Sequence, residues 1–462
     1  MSGFDIEAHH PLYDAFLPAW TLLRDSFDGE DDIKAKGVTY LPMKPGTAAI
    51  DDPAVKARAY DFYKEYAEFP DLVALTTRGA VGTILDKSAN IELPKDLEPL
   101  RERATRDGLT LEALHRRIAT ELMLTGRYGI LPGIAQDGSP YLAGYIAESI
   151  INWDETDQVA DYVVLDESGQ VRNRETGAWD EVKQYRECFV GDGRYAARVW
   201  SDTGTGLQPE DPVEARDRKQ KPLDFLPFVF VNTSDLTPSP DDVPLFGLAK
   251  ISLRIYRMDA NYQSGLYMTS EPTPWVSGHF DEQDATRQPP STIGAARLWV
   301  LPDGAQAGML EFTGAGLSAQ QKAIEDAKAD AVMFGAQILT NRSNAAESGE
   351  AKRVRLDSQH STLKGIAMTS AAGLERALKN AAIWIGANPD KVKVAPNLDF
   401  FENELSAQDV TALVAAWQSA AFSKRTLHWN LQRGGVVQEG KPFEQEQEEI
   451  AEDEPGLPVV TE

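Results

Sequence analysis

The chain has 462 residues, with 46 basic against 72 acidic side chains for a formal net charge of −26, and 42% of its residues are apolar. At about 150 residues per domain this length predicts two to four folding units, and nine Trp, 17 Phe and 14 Tyr supply core material that a globally disordered chain lacks. A single cysteine, Cys188, in the strand-like run Tyr185-Arg-Glu-Cys-Phe-Val190, excludes an internal disulfide framework and a cysteine-ligated zinc site, and reads as a buried small side chain in a reducing compartment.

No apolar run approaches the roughly 18 to 20 residues of a membrane span, and the start Met-Ser-Gly-Phe-Asp-Ile-Glu lacks a basic, then apolar, leader. The expectation is a protein neither exported nor embedded in a membrane. Strong negative charge ordinarily opposes nucleic-acid binding, because phosphates are repelled. It does not oppose a conduit, whose walls must let a duplex slide.

Residues 1 to about 130 read as mainly helical. Phe16, Leu17, Trp20, Leu23 and Phe27 recur at helical spacing between Tyr13 and Phe27, Pro53 opens a second helix through Tyr60 and Tyr63, and Thr110 a third that stops at Gly126. Period-two runs then predict strands at 128–131, 141–146, 159–165, 182–190, 195–200 and 227–232, giving an α+β region. Residues 201–222 are polar and rich in Gly and Pro, and read as a surface excursion.

From Phe246 to Thr269, Leu248, Ile251, Ile255, Met258, Tyr262 and Leu266 form one helical seam, ended by Ser270-Glu-Pro-Thr-Pro274. Short strands at 275–278, 296–301 and 309–312 make a small β insertion, after which Ser318-Ala-Gln-Gln321 caps a helix through Ile324, Ala327, Ala331, Phe334 and Ile338. Residues 340–350 are polar without an apolar period and read as a mobile loop. A long proline-free helix follows from Ala351 to about Ile385. Within 352–379 it carries six cations (Lys352, Arg353, Arg355, Lys364, Arg376, Lys379) against Asp357 and Glu375, a basic stretch in an acidic chain. Capped helices at Ser406 and Ser423 complete a helical end, stopping at Gly434-Gly435. Residues 438–462, with nine acids against Lys441, are predicted to be disordered.

Phosphate-loop and dinucleotide fingerprints are absent from the sequence, the six histidines are scattered, and Asp25-Ser-Phe-Asp-Gly-Glu-Asp-Asp32 lacks calcium-loop spacing. Gly126-Arg-Tyr-Gly129 reads as a helix C-cap. No catalytic residue, metal site or cofactor is therefore assigned.

In order, His10-Pro-Leu-Tyr13, Trp20, Tyr40-Leu-Pro42, Gly126-Arg-Tyr-Gly129, Ile150-Ile-Asn-Trp-Asp154, Pro227-Phe-Val-Phe-Val-Asn232, Tyr267-Met-Thr-Ser-Glu-Pro-Thr-Pro-Trp275 and Thr426-Leu-His-Trp-Asn-Leu-Gln-Arg433 resemble the portal, or head-to-tail connector, proteins of tailed bacteriophages. The resemblance implies a portal-like fold: an α+β wing (1–245), two stem helices (246–269 and 318–339) flanking a β-containing clip (270–317), a tunnel loop (340–350), a long tunnel helix returning to the wing (351–400), a helical crown (401–437) and the acidic tail (438–462). It implies a ring, usually of twelve subunits, at one capsid vertex, through which double-stranded DNA is packaged and ejected.

The implied partners are a terminase large subunit that supplies the ATP-driven motor, the major capsid and scaffold proteins, and a head-completion or adaptor protein, with no membrane. The implied location is the virion, after assembly in the host bacterial cytoplasm. On this reading Arg342, Asn344, Lys352, Arg353, Arg355 and Lys364 face the DNA channel, and Trp275, Trp299 and Phe312 belong to the clip. Ile251, Ile255, Met258, Tyr262, Ile324, Ala331 and Phe334 make the interface between subunits, because paired helices in a ring bury against neighbours the seams a lone copy leaves bare. Ring closure turns one Arg342 into a collar of cations, and Arg342→Ala or Lys352→Ala is expected to spare rings but impair packaging. The competing readings are a metal-dependent nucleic-acid-processing enzyme with 340–350 as its lid, and another phage structural scaffold.

Overall fold

The computed structural model describes residues 4–135, 137–156, 159–202, 204, 206–270, 272–279, 289–290, 292, 299–311, 313–339, 349–398, 400, 407–438 and 440–453, and, of 336–339, 349–361, 407, 433 and 451–453, the backbone alone. The chain is α+β and divides into two units, Met1–Pro396 and Asn397–Glu462.

Unit 1 opens with α1 (Pro11–Asp28), whose start is fixed by Pro11 and by His10, which accepts the Leu12 N–H on Nδ1 at 3.1 Å and stacks on Trp153 at 4.0 Å. Helices α2 (Glu30–Ala35), α3 (Pro45–Ala48), α4 (Pro53–Glu65), α5 (Leu72–Ile84) and α6 (Leu111–Leu124) follow, with the short strand β1 (Asn90–Glu92) between the last two. Asp52 and Thr110 cap α4 and α6 through their side-chain oxygens. Arg24 of α1 binds two carboxylates at once, Glu121 of α6 at 2.8 Å and Glu148 at 2.9 Å, tying the helices to the sheet region.

Two antiparallel sheets come next. Strands β2 (Arg127–Ile134) and β3 (Pro140–Ile146) are joined by the later β12 (Val229–Asn232) in the order β12-β2-β3. Strands β4 (Ile150–Thr156), β5 (Val159–Asp166), β8 (Gln184–Gly191) and β9 (Arg194–Asp202) form the larger sheet, and β6 (Gly169–Arg172) and β7 (Trp179–Val182) make a separate hairpin. The predicted excursion 201–222 is partly ordered: β10 (Leu207–Pro209) and β11 (Val213–Glu214) both pair with β9. Two short backbone runs need no apolar pattern to hydrogen-bond to a free edge, so composition does not reveal them. Trp20, Trp153, Tyr185, Tyr195, Phe228 and Phe230 sit in one core cluster with Cys188, whose thiol is fully buried and pushed up to about 11 by desolvation.

Gly126-Arg-Tyr-Gly129 is a packing knot in this core. Gly126, at φ +75°, ends α6, and a Cβ there would meet the Asp242 carbonyl at 3.1 Å. Arg127 is wholly buried between the Trp153 and Phe230 rings, 4.5 and 4.7 Å from its guanidinium, and donates to the Pro238 carbonyl at 2.7 Å. Asn232 donates to the carbonyls of Thr237 and Ser239. The two side chains pin the loop that feeds the next helix.

That helix is α7 (Phe246–Ser270), followed by the hairpin β13 (Thr273–Ser277) and β14 (Gln306–Leu310), then α8 (Leu317–Leu339) and α9 (Gly349–Ile385). The small-residue stripe of α9 brings it close to the sheet as well as to helices. A Cβ on Gly373 would lie 2.4 Å from Val231 of β12, Asn380 donates to the Pro227 carbonyl, and His115 of α6 meets Ser370 at 3.1 Å. Strand β15 (Lys393–Ala395) then pairs with β1.

Unit 2 holds α10 (Ala407–Gln418), α11 (Lys424–Arg433) and α12 (Phe443–Asp453). The disorder predicted for 438–462 is corrected over α12: Arg425 of α11 pairs with Glu444, Lys424 donates to Gln447 at 2.7 Å, and Lys441 holds Glu446 and Glu449. Local cations neutralise the first turns of a segment whose overall charge reads as disorder.

Candidate functional site

Helices α7 and α8, with the hairpin between them, form an antiparallel arm whose helices pack on α5, with α8 also on α9 and α7 on α1 and α4. Gly247 and Gly265 decide how closely the helices approach. A Cβ on Gly247 would stand 2.8 Å from the Phe334 ring and one on Gly265 2.7 Å from Leu317, so opposite ends of α8 are seated over the two glycines of α7. Between them Arg254 pairs with Asp330 at 3.2 Å. On its other side the outer half of α7 is met by Lys44, which donates to Ser264 at 2.8 Å, by Tyr63, which donates to Asn261, and by Phe62 against Tyr267.

The buried stripe of α7 differs from the predicted seam. It runs through Leu248, Ser252, Tyr256 and Ala260, with Leu253, Ile255 and Asp259 alongside. Asp259 is buried because its carboxylate accepts the Glu68 N–H at 2.8 Å, a satisfaction that apolar periodicity cannot register. Three of the residues expected between subunits are therefore corrected: Ile255, Ile324 and Ala331 are already buried within one chain and offer a neighbour no surface. Ile251, Met258, Tyr262 and Phe334 are half-buried. Of the predicted seam Leu266 does face outward, and the sequence reading missed the other exposed apolar side chains, Val332 (63% exposed) and Met333 (61%) on α8 and Met268 on α7. A surface search of α8 for residues one position off its buried stripe would have found the first two.

At the hairpin Trp275 is 41% exposed and lies across Gly308 of the paired strand, where a Cβ would meet the indole at 3.0 Å. Trp299 is half-buried and its indole N–H donates to the Thr292 carbonyl at 2.8 Å. Phe312 lies outside the described residues, as do Arg342 and Asn344.

Helix α9 starts at Gly349, so the last two residues of the predicted loop belong to it. At 1.5 Å per residue its 37 residues span about 55 Å. Lys352, Arg353 and Arg355 lie on its first turns, where the backbone alone is described, and Lys364 is half-buried further along. From Leu363 to Ile385 the helix is core: Leu363, Ile366, Leu374, Leu378 and Ile385 are buried. The cations are thus segregated, since Lys379 is tied to Glu375 at 2.5 Å while Arg376 is exposed. Burial raises the Glu375 pKa, but the Lys379 ammonium and the Val394 N–H together bring it below the ordinary carboxylate value.

A cleft of about 640 Å³ opens elsewhere, on the sheets, but the ions at its floor hold one another. Arg186 pairs with Glu167 at 2.7 Å, and Tyr145 donates to the same carboxylate at 2.6 Å. Asp25 in the acidic 25–32 turn accepts from Tyr40, and Glu30 takes Lys34 and the Phe69 N–H. Among the described residues no group of three or more His, Cys, Asp or Glu side chains could hold a metal ion, and no helix is long and apolar enough to cross a membrane.

A family model described as a domain of unknown function (DUF4055) matches residues 244–385, the stretch from just before α7 to the last residue of α9. No curated protein matches the sequence. Among solved structures, the chain is similar to one in the neck of a native GTA particle computed with C12 symmetry, at 12% identity and a TM-score of 0.37, covering 78% of this chain and 89% of that one. It is also similar to a chain in the neck of an empty GTA particle computed with C6 symmetry, at 14% identity and a TM-score of 0.37, covering 80% and 90%.

Proposed function

We propose that this protein is a portal-type head-to-tail connector, a subunit that closes with its copies into a ring, of twelve in the assembled particle, around a channel for double-stranded DNA. The observation that carries the reading is the α7–hairpin–α8 arm, which in the single chain leaves Val332 and Met333 uncovered near the end of α8 and Leu266 and Met268 uncovered near the end of α7. Exposed apolar side chains at both ends of one helix pair fit a surface for a partner, and a heterologous contact that closes on itself supplies one to every copy. The ordered sequence likeness to portals supports reading this arm as a stem.

In this proposal α7 and α8 are the stem, the β13–β14 hairpin is the clip that receives the terminase and later the adaptor, and the sheets are the wing against the capsid and scaffold proteins. The first turns of α9 bring Lys352, Arg353 and Arg355 to the channel, and the likeness to portals assigns Arg342 and Asn344, outside the described residues, to the same role. Acidic walls keep the duplex centred, and isolated cations hold it transiently. The chain itself performs no chemistry, and its site of action is the portal vertex of the virion.

The test is electron microscopy of the purified chain. Rings with an axial hole at least as wide as a duplex, about 20 Å in B-form dimensions, are expected. A chain that stays monomeric at high concentration, and is absent from the unique vertex of particles, would overturn the proposal.

A further inference from the structure

Helix α11 is a second basic element in an acidic chain. It carries Lys424, Arg425 and Arg433 with no acid, and Trp429 on it is 55% exposed. Packed on it is α12, with six acids in eleven residues, Glu444, Glu446, Glu448, Glu449, Glu452 and Asp453.

The attachment is largely polar. Among the side chains described on α12 none is buried; Phe443 is half-buried, its ring 5.5 Å from His428 and 5.4 Å from the Arg425 guanidinium. Arg425 pairs with Glu444, both partners being about two-thirds exposed or more (71% and 66%), and Lys424 donates to Gln447. Such exposed pairs contribute at most about 1 kcal/mol each and weaken with salt. A helix held by such pairs, by the half-buried Phe443 ring and by the Gln432 amide donating to the carbonyls of Gln438 and Lys441, with no buried side chain described on it, is open to displacement by a stronger polyanion, whose binding releases counterions.

We propose that α11 binds the phosphate backbone of duplex DNA and that α12 is an intramolecular acidic decoy, occupying Lys424 and Arg425 until the duplex displaces it. The identity of the polyanion rests on the proposed function; the masking itself rests on the α11–α12 contacts. The decoy keeps a ring-borne basic surface from gripping DNA tightly, so that the duplex engages it only where local phosphate concentration is high.

The experiment uses the full chain and a fluorescent duplex of about 30 base pairs, titrated by anisotropy over a salt series. The variant Glu444→Gln/Glu448→Gln/Glu452→Gln, which leaves the pairs of Lys441 with Glu446 and Glu449 intact, is expected to bind about tenfold or more tightly than the parent at low salt. Adding Lys424→Gln/Arg425→Gln is expected to abolish that gain and to make the slope of log K against log salt shallower by about 2, at roughly 0.9 per phosphate contact. An equal neutralisation elsewhere, Glu102→Gln/Glu175→Gln/Glu181→Gln, is expected to leave affinity near the parent's. The proposal is overturned if this control matches the gain, if the gain survives loss of Lys424 and Arg425, or if no gain occurs in a variant whose circular dichroism matches the parent. Ring images of the same variants separate the two ideas: rings without the gain sink the decoy alone, and the gain without rings sinks the connector reading alone.

Discussion

Replacing Val332 and Met333 together by serine tests the arm as an interface. These side chains are 63% and 61% exposed in the single chain, so the fold loses little beyond a few tenths of a kcal/mol per position in helix propensity. Fully burying a Val or Met side chain contributes about 1.5 to 3 kcal/mol, and roughly six-tenths of each remains to be buried by a neighbour, giving about 2 to 4 kcal/mol per interface for the pair. At 1.4 kcal/mol per decade, that weakens each subunit contact roughly 30- to 700-fold. Sedimentation velocity across a concentration series is expected to show the ring dissociating at correspondingly higher concentration, while the thermal midpoint of the dissociated chain stays near the parent's. Ile324→Ser is the contrast, because Ile324 is buried inside the chain and its loss lowers the midpoint itself. Undisturbed rings in the double variant would refute the reasoning, since no comparably exposed apolar pair is described on α8.

How much of this was readable in advance depended on whether apolar spacing carried the information. Helices α1, α4, α6, α7 and α8 were legible because their buried residues recur at three and four and their caps, Asp52 and Thr110, are local. Strand β4 lay unmarked by alternation, since Ile150, Ile151 and Trp153 are buried on a strand with bulged register. The orientation of α7 was misread because the decisive side chains are polar, Ser252 and Asp259, and because glycines 247 and 265, silent in any hydropathy pattern, set where α8 lies. Gly126-Arg-Tyr-Gly129 was legible as a cap at its first residue only. The burial of Arg127 between two rings joins residues 26 and 103 positions apart, a pairing that no local pattern encodes. The order of α12 was likewise hidden, because composition counts charges and does not say which cations lie opposite them.

Arg127→Ala removes a buried side chain, its bond to the Pro238 carbonyl and two ring contacts, and is expected to cost about 3 to 5 kcal/mol in urea unfolding. Arg127→Met keeps the volume and relieves a buried charge whose Nε and Nη2 have no partner, so it is expected to stay within about 1.5 kcal/mol of the parent while amide exchange accelerates over 233–242. Gly144→Ala sets a Cβ 1.8 Å from the Tyr128 hydroxyl, and the ring is buried, so a loss of about 2 to 4 kcal/mol is expected; Tyr128→Phe in the same chain relaxes the contact to 2.7 Å and recovers at least about 1 kcal/mol in a double-mutant cycle. His115, buried against Ser370, gives stability a pH dependence whose sign follows from desolvation, which lowers its pKa from 6.5 to about 4. Above pH 6.5 the ring is neutral in both states; as pH falls the unfolded chain takes up the proton first, so stability is lost between about pH 6.5 and 4 and the loss levels off below that. At 1.36 kcal/mol per unit the span is about 3 kcal/mol. His115→Gln retains a partner for Ser370 without a titrating ring, so its unfolding free energies from urea titration at pH 7 and pH 4 should lie closer together by that amount. Equal pH dependence in both proteins would place the protonated imidazole in a solvated site and sink the argument.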